Sequence, residues 1–256
     1  MTFLNTKIDI LISAAVKDEL QLLTSKTLNL KSYSINNIEV FTGIINNKNI
    51  VFVITGPGVI NTAHALTLVL EKTQPKLIIQ TGCAGAFEDS GIKTGDIGVA
   101  SCEIDVHTGI EPSEGEVHVP TALPFPLFTK NDTKYTNRFS TDEEFSDKVF
   151  LTLSKNNKQS FKIVKAPFIT VSTITATDKR KDTLYRTYKP CMESMEGSSA
   201  AHISILYDIP FIEIRSASNL VGTRDKNKWD LPLAFKNCNL AVLDILNNMD
   251  DLIPTK

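Results

Sequence analysis

One tryptophan, four cysteines and four histidines among 256 residues leave several kinds of chemistry short of material. Cys83, Cys102, Cys191 and Cys238 stand far apart, with no Cys-x-x-Cys and no histidine at zinc-finger spacing. That pattern suggests neither a disulfide framework nor a structural zinc site, and it reads as free thiols in a reducing compartment. His64, His107, His118 and His202 are equally dispersed. Histidine is the commonest general acid or base, but this scatter argues against histidine-centred catalysis. Neither sign of charge is in excess: 27 lysines and arginines face 29 aspartates and glutamates, a net charge of −2. With no surplus of cations to neutralise a phosphate backbone, the composition disfavours a dedicated nucleic-acid binder. No apolar run approaches the ~18 residues of a membrane span, and the first residues lack a basic stretch followed by an apolar one. The expectation is a cytoplasmic protein, neither secreted nor membrane-bound.

Apolar material is what the chain does have. Hydrophobic residues make up 42% of it, enough for one large core and, at this length, too little for two. A single domain over 1–256 is expected. Apolar segments recur in a βα rhythm that no repeat or linker interrupts, which predicts an α/β fold. Strands are expected at Ile8–Ala14, Ile38–Ile45, Ile50–Thr55, Leu77–Thr81, Ile97–Ile104, Phe161–Ile174 and Pro210–Ser216, several of them continuously apolar as buried strands are. Helical periodicity predicts Val59–Lys72, Asp178–Tyr188, Met195–Tyr207 and Leu231–Asn247. Ala63, Leu66 and Leu70 mark one buried stripe, and Ala200, Ile203 and Leu206 another. Paired strands ahead of the first long helix imply a mixed sheet. From about 110 to 142, Pro112, Pro120, Pro124 and Pro126 break both periodicities and predict a loop insertion.

Four local constellations carry polar residues at the ends of these elements. Ala14-Ala15-Val16-Lys17-Asp18-Glu19 runs from a strand into a helical turn. Its two acids either complement the helix dipole or turn one carboxylate into a cleft at the sheet's carboxyl edge. Thr55-Gly56-Pro57-Gly58 invites a dinucleotide-binding reading, but Asn61 stands where a third glycine belongs and no Gly-Lys-Ser/Thr follows. These glycines allow a tight turn and close backbone approach. In Thr81-Gly82-Cys83-Ala84-Gly85, Cys83 lacks the context that activates a thiolate and reads as a small packing residue. Finally, Glu193-Ser194-Met195-Glu196-Gly197 opens a helix, and the strand after that helix ends in Arg215, Ser218 and Asn219. Two polar clusters at neighbouring element ends can converge on one pocket.

Taken in order, the glycine turn at 56–58, Thr81–Gly85, Gly95-Asp96-Ile97, Met195-Glu196-Gly197 and Arg215–Asn219 resemble the nucleoside phosphorylase and purine nucleosidase superfamily. The resemblance implies one three-layer α/β/α domain around a central mixed, partly barrel-like sheet. It also implies a homodimer or larger homo-oligomer acting on a small purine nucleoside. The residues call for neither a metal nor an organic cofactor. Within the superfamily, Val171-Ser172-Thr173, the Ser-Met-Glu-Gly run and Ser218 through Trp229, with Thr223, Arg224 and Asp225 inside it, are most similar to the futalosine hydrolase family. Those enzymes release hypoxanthine from futalosine on a route to menaquinone. The methylthioadenosine/S-adenosylhomocysteine nucleosidases and the purine nucleoside phosphorylases are the alternatives.

Carried over by motif, Glu19 would hold and activate the attacking water, and Glu196 would accept hydrogen bonds from the ribose hydroxyls. Met195 would pack on the sugar, and Cys83 would stand where related nucleosidases place a serine. Arg215 would bind the catalytic carboxylate or water. Ser218 and Asn219 would serve the base, with Thr173 among the substrate contacts. Phe125 and His107 are candidates for the 5′ pocket. Breaking an N-glycosidic bond builds positive charge on the ribose and negative charge on the base, which calls for carboxylates at the sugar and a donor at the base. An asparagine cannot protonate the base as an aspartic acid can. Its amide N–H and carbonyl suit the O6 and protonated N7 of a 6-oxopurine, unless Asp225 replaces the missing acid. An anion beside Glu19 would be poorly held, so water is the expected nucleophile.

Overall fold

The computed structural model describes residues 7–112, 119–156, 161–222 and 225–252, so His118, Thr223 and Arg224 lie outside the described residues. Its strands are β1 (Ile10–Ala14), β2 (Leu28–Ile35), β3 (Ile38–Ile45), β4 (Lys48–Ile54), β5 (Leu77–Ala86), β6 (Ile97–Asp105), β7 (Phe128–Lys130), β8 (Thr133–Tyr135), β9 (Arg138–Ser140), β10 (Ile163–Thr170), β11 (Met192–Ser194) and β12 (Phe211–Leu220). The helices are α1 (Gln21–Ser25), α2 (Val59–Leu70), α3 (Glu143–Asn156), α4 (Asp178–Tyr188), α5 (Gly197–Leu206), α6 (Leu231–Asn247) and α7 (Met249–Leu252).

The sheet closes on itself at one end. β5 pairs with β12, β12 with β6, β6 with β10 and β10 with β11, and β11 returns to β5, while β1, β4, β3 and β2 extend from β5 as an open wing. Parallel pairs, β1 with β5 and β5 with β12, mix with antiparallel ones, β11 with β5 and β12 with β6. This is the mixed, partly barrel-like sheet of the expected fold class. Alternation along each strand serves two helical layers, because successive side chains face opposite sides. Ile10, Ile12, Phe52 and Ile79 pack with Val242 and Ile245 of α6. Leu11, Val51, Val53 and Ile78 pack with Ala65, Leu66 and Val69 of α2 and Ala200 of α5.

Several elements depart from the sequence reading. The described part of the expected 110–142 loop insertion is not a plain loop: β7 and β8 form a hairpin, and β9 joins the barrel beside β6. Asn131 and Asp132 both hold positive φ at the hairpin turn, the backbone that matches strand twist. Phe128 of this hairpin stacks on His202 of α5 at 4.2 Å, and Lys130 donates to the carbonyls of Ile205 and Leu206 that end α5. Three-residue strands are too short to show a period of two, which is why proline dominated the reading there. Helix α5 starts two residues later than expected; Gly197, Ser198, Ser199, Ala200, Ala201 and Ser204 are its buried residues, and Leu206 is exposed. In α2 the buried side carries Thr62, Ala65, Leu66, Val69 and Leu70, with Ala63 at its margin. No helix of the described residues is long and apolar enough to cross a membrane.

Candidate active site

β1, β5, β11 and β12 deliver their carboxyl ends, or the turns beyond them, to one cavity of about 300 Å³. Ligands of open α/β sheets bind at this edge. Glu19, Cys83, Met195, Glu196, Arg215, Ser218 and Asn219 all line it. Thr173 does not. It is exposed, and the chain after β10 turns Ile174 and Thr175 to the cavity in its place. Phe125 and His107 are also outside the wall: Phe125 is exposed, and His107 accepts from the Ser172 amide and faces Arg180. Asp225 is not a wall residue either. It accepts from the Asn227 amide as the cap of a short turn, so the structure does not bring it in as a substitute acid.

Glu19 sits in the 3₁₀ turn Lys17–Leu20 and is buried, whereas its neighbour Asp18 is exposed. Of the two readings of these acids, the dipole role fits Asp18 and the cleft role fits Glu19. One Glu19 oxygen accepts from the amides of Ala15 at 2.9 Å and Val16 at 3.2 Å, and the other from the amide of Cys83 at 2.9 Å. Asn239 of α6 fixes the turn from below by donating to the Glu19 carbonyl at 2.6 Å and accepting from the Leu23 amide at 2.9 Å. Gly82 makes the approach possible. Its φ is +142°, and a Cβ there would run into the Glu19 carboxylate. Burial pushes the Glu19 carboxyl above the ordinary range, while Arg215 and the backbone donors pull it back.

Glu196 stands at the residue just before α5, makes no capping bond to that helix, and is buried. Its Oε1 accepts from the Gly58 amide at 3.0 Å, and its Oε2 accepts from Arg215 at 3.0 Å. The glycine turn at 56–58 therefore hands a backbone donor to a carboxylate. A carboxylate offers about four acceptor sites, so Glu196 still has one for a substrate hydroxyl after the Met195 amide takes its share. Cys83 is half-buried, and burial together with the Glu19 charge pushes its thiol up, which keeps it neutral. At the far end, a bulge in the pairing of β12 with β5 falls at Ser218. The Ser218 hydroxyl lies 2.8 Å from the Asn219 carbonyl oxygen, and the Asn219 amide donates to the Leu220 carbonyl at 3.0 Å.

Arg215 joins these groups from beneath. It is 1% exposed, and besides Glu196 it donates to Glu213 at 2.7 Å and to the Cys83 carbonyl at 3.1 Å. Glu213 and Glu103 are both fully buried, and the sequence reading gave neither a role, although Glu213 stands two residues from Arg215 on the same strand. Thr170 donates to one Glu103 oxygen at 2.6 Å. The other Glu103 oxygen and Glu213 Oε2 have no donor, and both lie against Gly197, where a Cβ would collide with them. One proton on Glu103, given to Glu213, satisfies both oxygens. Burial and then the Glu213 charge hold the Glu103 carboxyl well above the ordinary range.

A raised carboxyl binds a proton in the folded state that the unfolded chain releases above about pH 4.3. The stability this contributes is full below that value and falls as pH rises toward the folded value. Glu103→Gln, which keeps a donor without a titration, is expected to flatten that decline. Urea midpoints of both proteins from about pH 5 to about pH 8 test this. Parallel curves would mean that Glu103 is ionised in the folded state.

Known proteins bear on the site as follows. A 5′-methylthioadenosine/S-adenosylhomocysteine nucleosidase of Psychromonas ingrahamii is 27% identical over 250 residues, covering 93% of this chain and 98% of that protein. One from Maridesulfovibrio salexigens is 29% identical with the same coverage. Among solved structures, the Colwellia psychrerythraea nucleosidase of that name, in complex with adenine, superposes with a TM-score of 0.80 at 21% identity, covering 94% of this chain and 96% of that one. Futalosine hydrolase of Helicobacter pylori superposes with a TM-score of 0.77 at 16% identity, covering 94% and 98%. At these identities the structural likeness establishes the fold. The sequence profile described as the Phosphorylase superfamily matches residues 9–247, nearly the whole chain, and the chain belongs to that superfamily.

Proposed function

We propose that the chain is a purine nucleosidase that hydrolyses the N-glycosidic bond with water as nucleophile, and that its leaving base is a 6-oxopurine, with futalosine the first candidate substrate. The reaction class rests on Glu19. Its buried carboxylate, oriented by backbone amides and placed beside Arg215, stands at the cavity wall where a water can be held and deprotonated. Glu196 faces the same space, and its remaining acceptor site strengthens its bond to a ribose hydroxyl as the sugar becomes cationic. Met195 forms wall beside it. Arg215 is the one cation among the described wall residues, and Glu196 and Glu213 already engage it. A phosphate would find no free partner there, which favours hydrolysis over phosphorolysis.

Asn219 supports the choice of base. An amide at the N7 and O6 edge donates and accepts at once, but it cannot deliver a proton. The second reading, a 5′-methylthioadenosine/S-adenosylhomocysteine nucleosidase releasing adenine, has the broader backing of similar proteins, most of which carry that name. A homodimer or larger homo-oligomer in the cytoplasm completes the proposal. Val16 at the cavity wall and Ile60 at the start of α2 are exposed apolar side chains that a partner copy would cover. Light scattering is expected to give at least twice the mass of 28.3 kDa, and a monomer would refute that part.

Glu19→Gln is expected to lower kcat at least about 100-fold while substrate affinity changes only a few-fold, as measured by steady-state turnover and calorimetry. Unchanged turnover would remove Glu19 from the reaction. Base release from futalosine, aminofutalosine, inosine and methylthioadenosine, each with and without phosphate, separates the readings. Hypoxanthine released from futalosine without phosphate is the expected result, with Asn219→Asp shifting preference toward adenine nucleosides. Adenine release by the unaltered enzyme would establish the second reading.

A further inference from the structure

Helix α6 buries an amide where a core-facing helix ordinarily carries apolar side chains. Asn239 is 1% exposed, whereas the buried residues after it are Ala241, Val242, Ile245 and Leu246. Both of its amide hydrogens and its oxygen are engaged. Nδ2 donates to the carbonyls of Glu19 and Phe235, each at 2.6 Å, and Oδ1 accepts from the Leu23 amide at 2.9 Å. Reversing the amide would set its oxygen against two carbonyls and its NH2 against an N–H, so one orientation alone fits.

The two partners outside α6 are a matched pair. In an unbroken α-helix the amide of residue 23 bonds to the carbonyl of residue 19. Here Asn239 takes both groups, as donor to one and acceptor from the other. The backbone is broken at this point: Lys17–Leu20 forms a 3₁₀ turn, α1 begins only at Gln21, and Leu20 at the junction has φ −114° and ψ 5°, away from helical values. Breaks of this kind arise where a side chain inserts into the backbone ladder. Glu19 stands on the near side of the break, so the inserted amide sets the direction in which its side chain leaves the turn. That direction matters, because the amides of Ala15 and Val16 after β1 and of Cys83 on β5 close on the carboxylate from two separate segments.

We propose that Asn239 is a positioning residue: its amide, inserted between Glu19 and Leu23, breaks the helical ladder and aims the Glu19 carboxylate at the backbone amides that orient it. Its catalytic meaning rests on the nucleosidase reading, in which Glu19 holds the water. Phe235, whose carbonyl accepts from the same amide, lines the cavity, so α6 gives the carboxylate and one wall of the substrate space a common support. The titratable and charged groups that face the Glu19 carboxyl are Arg215 on β12, Glu196 before α5, Cys83 on β5 and Cys238 on α6. Replacing Asn239 by a neutral residue removes none of them and adds no charge. Amide donors hold a carboxyl down, so the Glu19 carboxyl rises when it slips from them.

Asn239→Ala is expected to raise the Glu19 titration by at least about half a pH unit, read by carbon-13 NMR with Glu19→Gln to assign the signal. On a cleaved nucleoside, kcat is expected to fall at least about 10-fold while KM stays within about 3-fold, and the acid limb of the kcat profile is expected to move to higher pH with the titration. An unmoved titration, or a loss of thermal stability with kcat and the acid limb unchanged, would overturn the proposal. In the unaltered protein, the Leu23 amide nitrogen is expected to show a scalar coupling through its hydrogen bond to the side-chain carbonyl carbon of Asn239. Coupling to the Glu19 carbonyl carbon instead would overturn the proposal, and this measurement decides it even where the variant fails to fold. Should no nucleoside be cleaved, the titration and the coupling still decide whether Asn239 places Glu19, and only the catalytic reading falls.

Discussion

A guanidinium sealed from water has to be surrounded by acceptors, and Arg215 dictates much of what surrounds it. Desolvating the charge costs several kcal/mol, and only well-placed carboxylates and carbonyls offset that cost. Glu213, Glu196 and the Cys83 carbonyl do so directly, with Glu19 close enough to feel the charge. The arrangement has a consequence for catalysis. Side chains contributed by distant parts of the chain, Glu19 after β1 and Glu196 before α5, are referred to one rigid centre on β12. Buried ion pairs of this kind are weak sources of net stability, and their value here lies in orientation.

Two tiers of carboxylate follow from that centre. Glu19 and Glu196 face the cavity, while Glu213 and Glu103 face away from it into the protein. The rear tier could not hold two negative charges so close together at such burial, and a proton on Glu103 leaves Glu213 as the counter-charge of Arg215. Thr170 extends the chain of bonds to the first turn of α5, where its hydroxyl accepts from the Ser198 amide at 2.7 Å. The helix that presents Glu196 is thus tied to the same network from its other side.

How much of this was legible in the sequence depended on the range of the interactions. β5 and β6 were apparent because burial on both faces writes a continuous apolar run. β2 was not, because it is an edge strand with mostly exposed side chains. α3 carried a readable stripe in Phe145, Val149 and Leu153 that the reading of periodicity passed over. In the site, Glu19, Glu196, Arg215 and Asn219 came from motifs at element ends, where chemistry and local sequence coincide. Thr173 was misplaced because a motif match does not say which way a loop turns. Glu193, Glu103 and Asn239 act through partners far away in sequence, whereas Glu213 stands two residues from Arg215 on one strand face and its role shows only once burial is known.

Gly197 shows what such hidden partners do to a visible motif. It is the last residue of Met195-Glu196-Gly197, yet nothing at the cavity requires it to be a glycine. The requirement comes from underneath, where Glu213 and Glu103 occupy the space a side chain would need. Positions 103, 197 and 213 are therefore one unit of variation: alanine at 197 becomes admissible only when the acids beneath it shorten or leave. Among homologous chains the three should change together or not at all, and a superfamily member with a larger residue after its glutamate should hold its arginine by some other means.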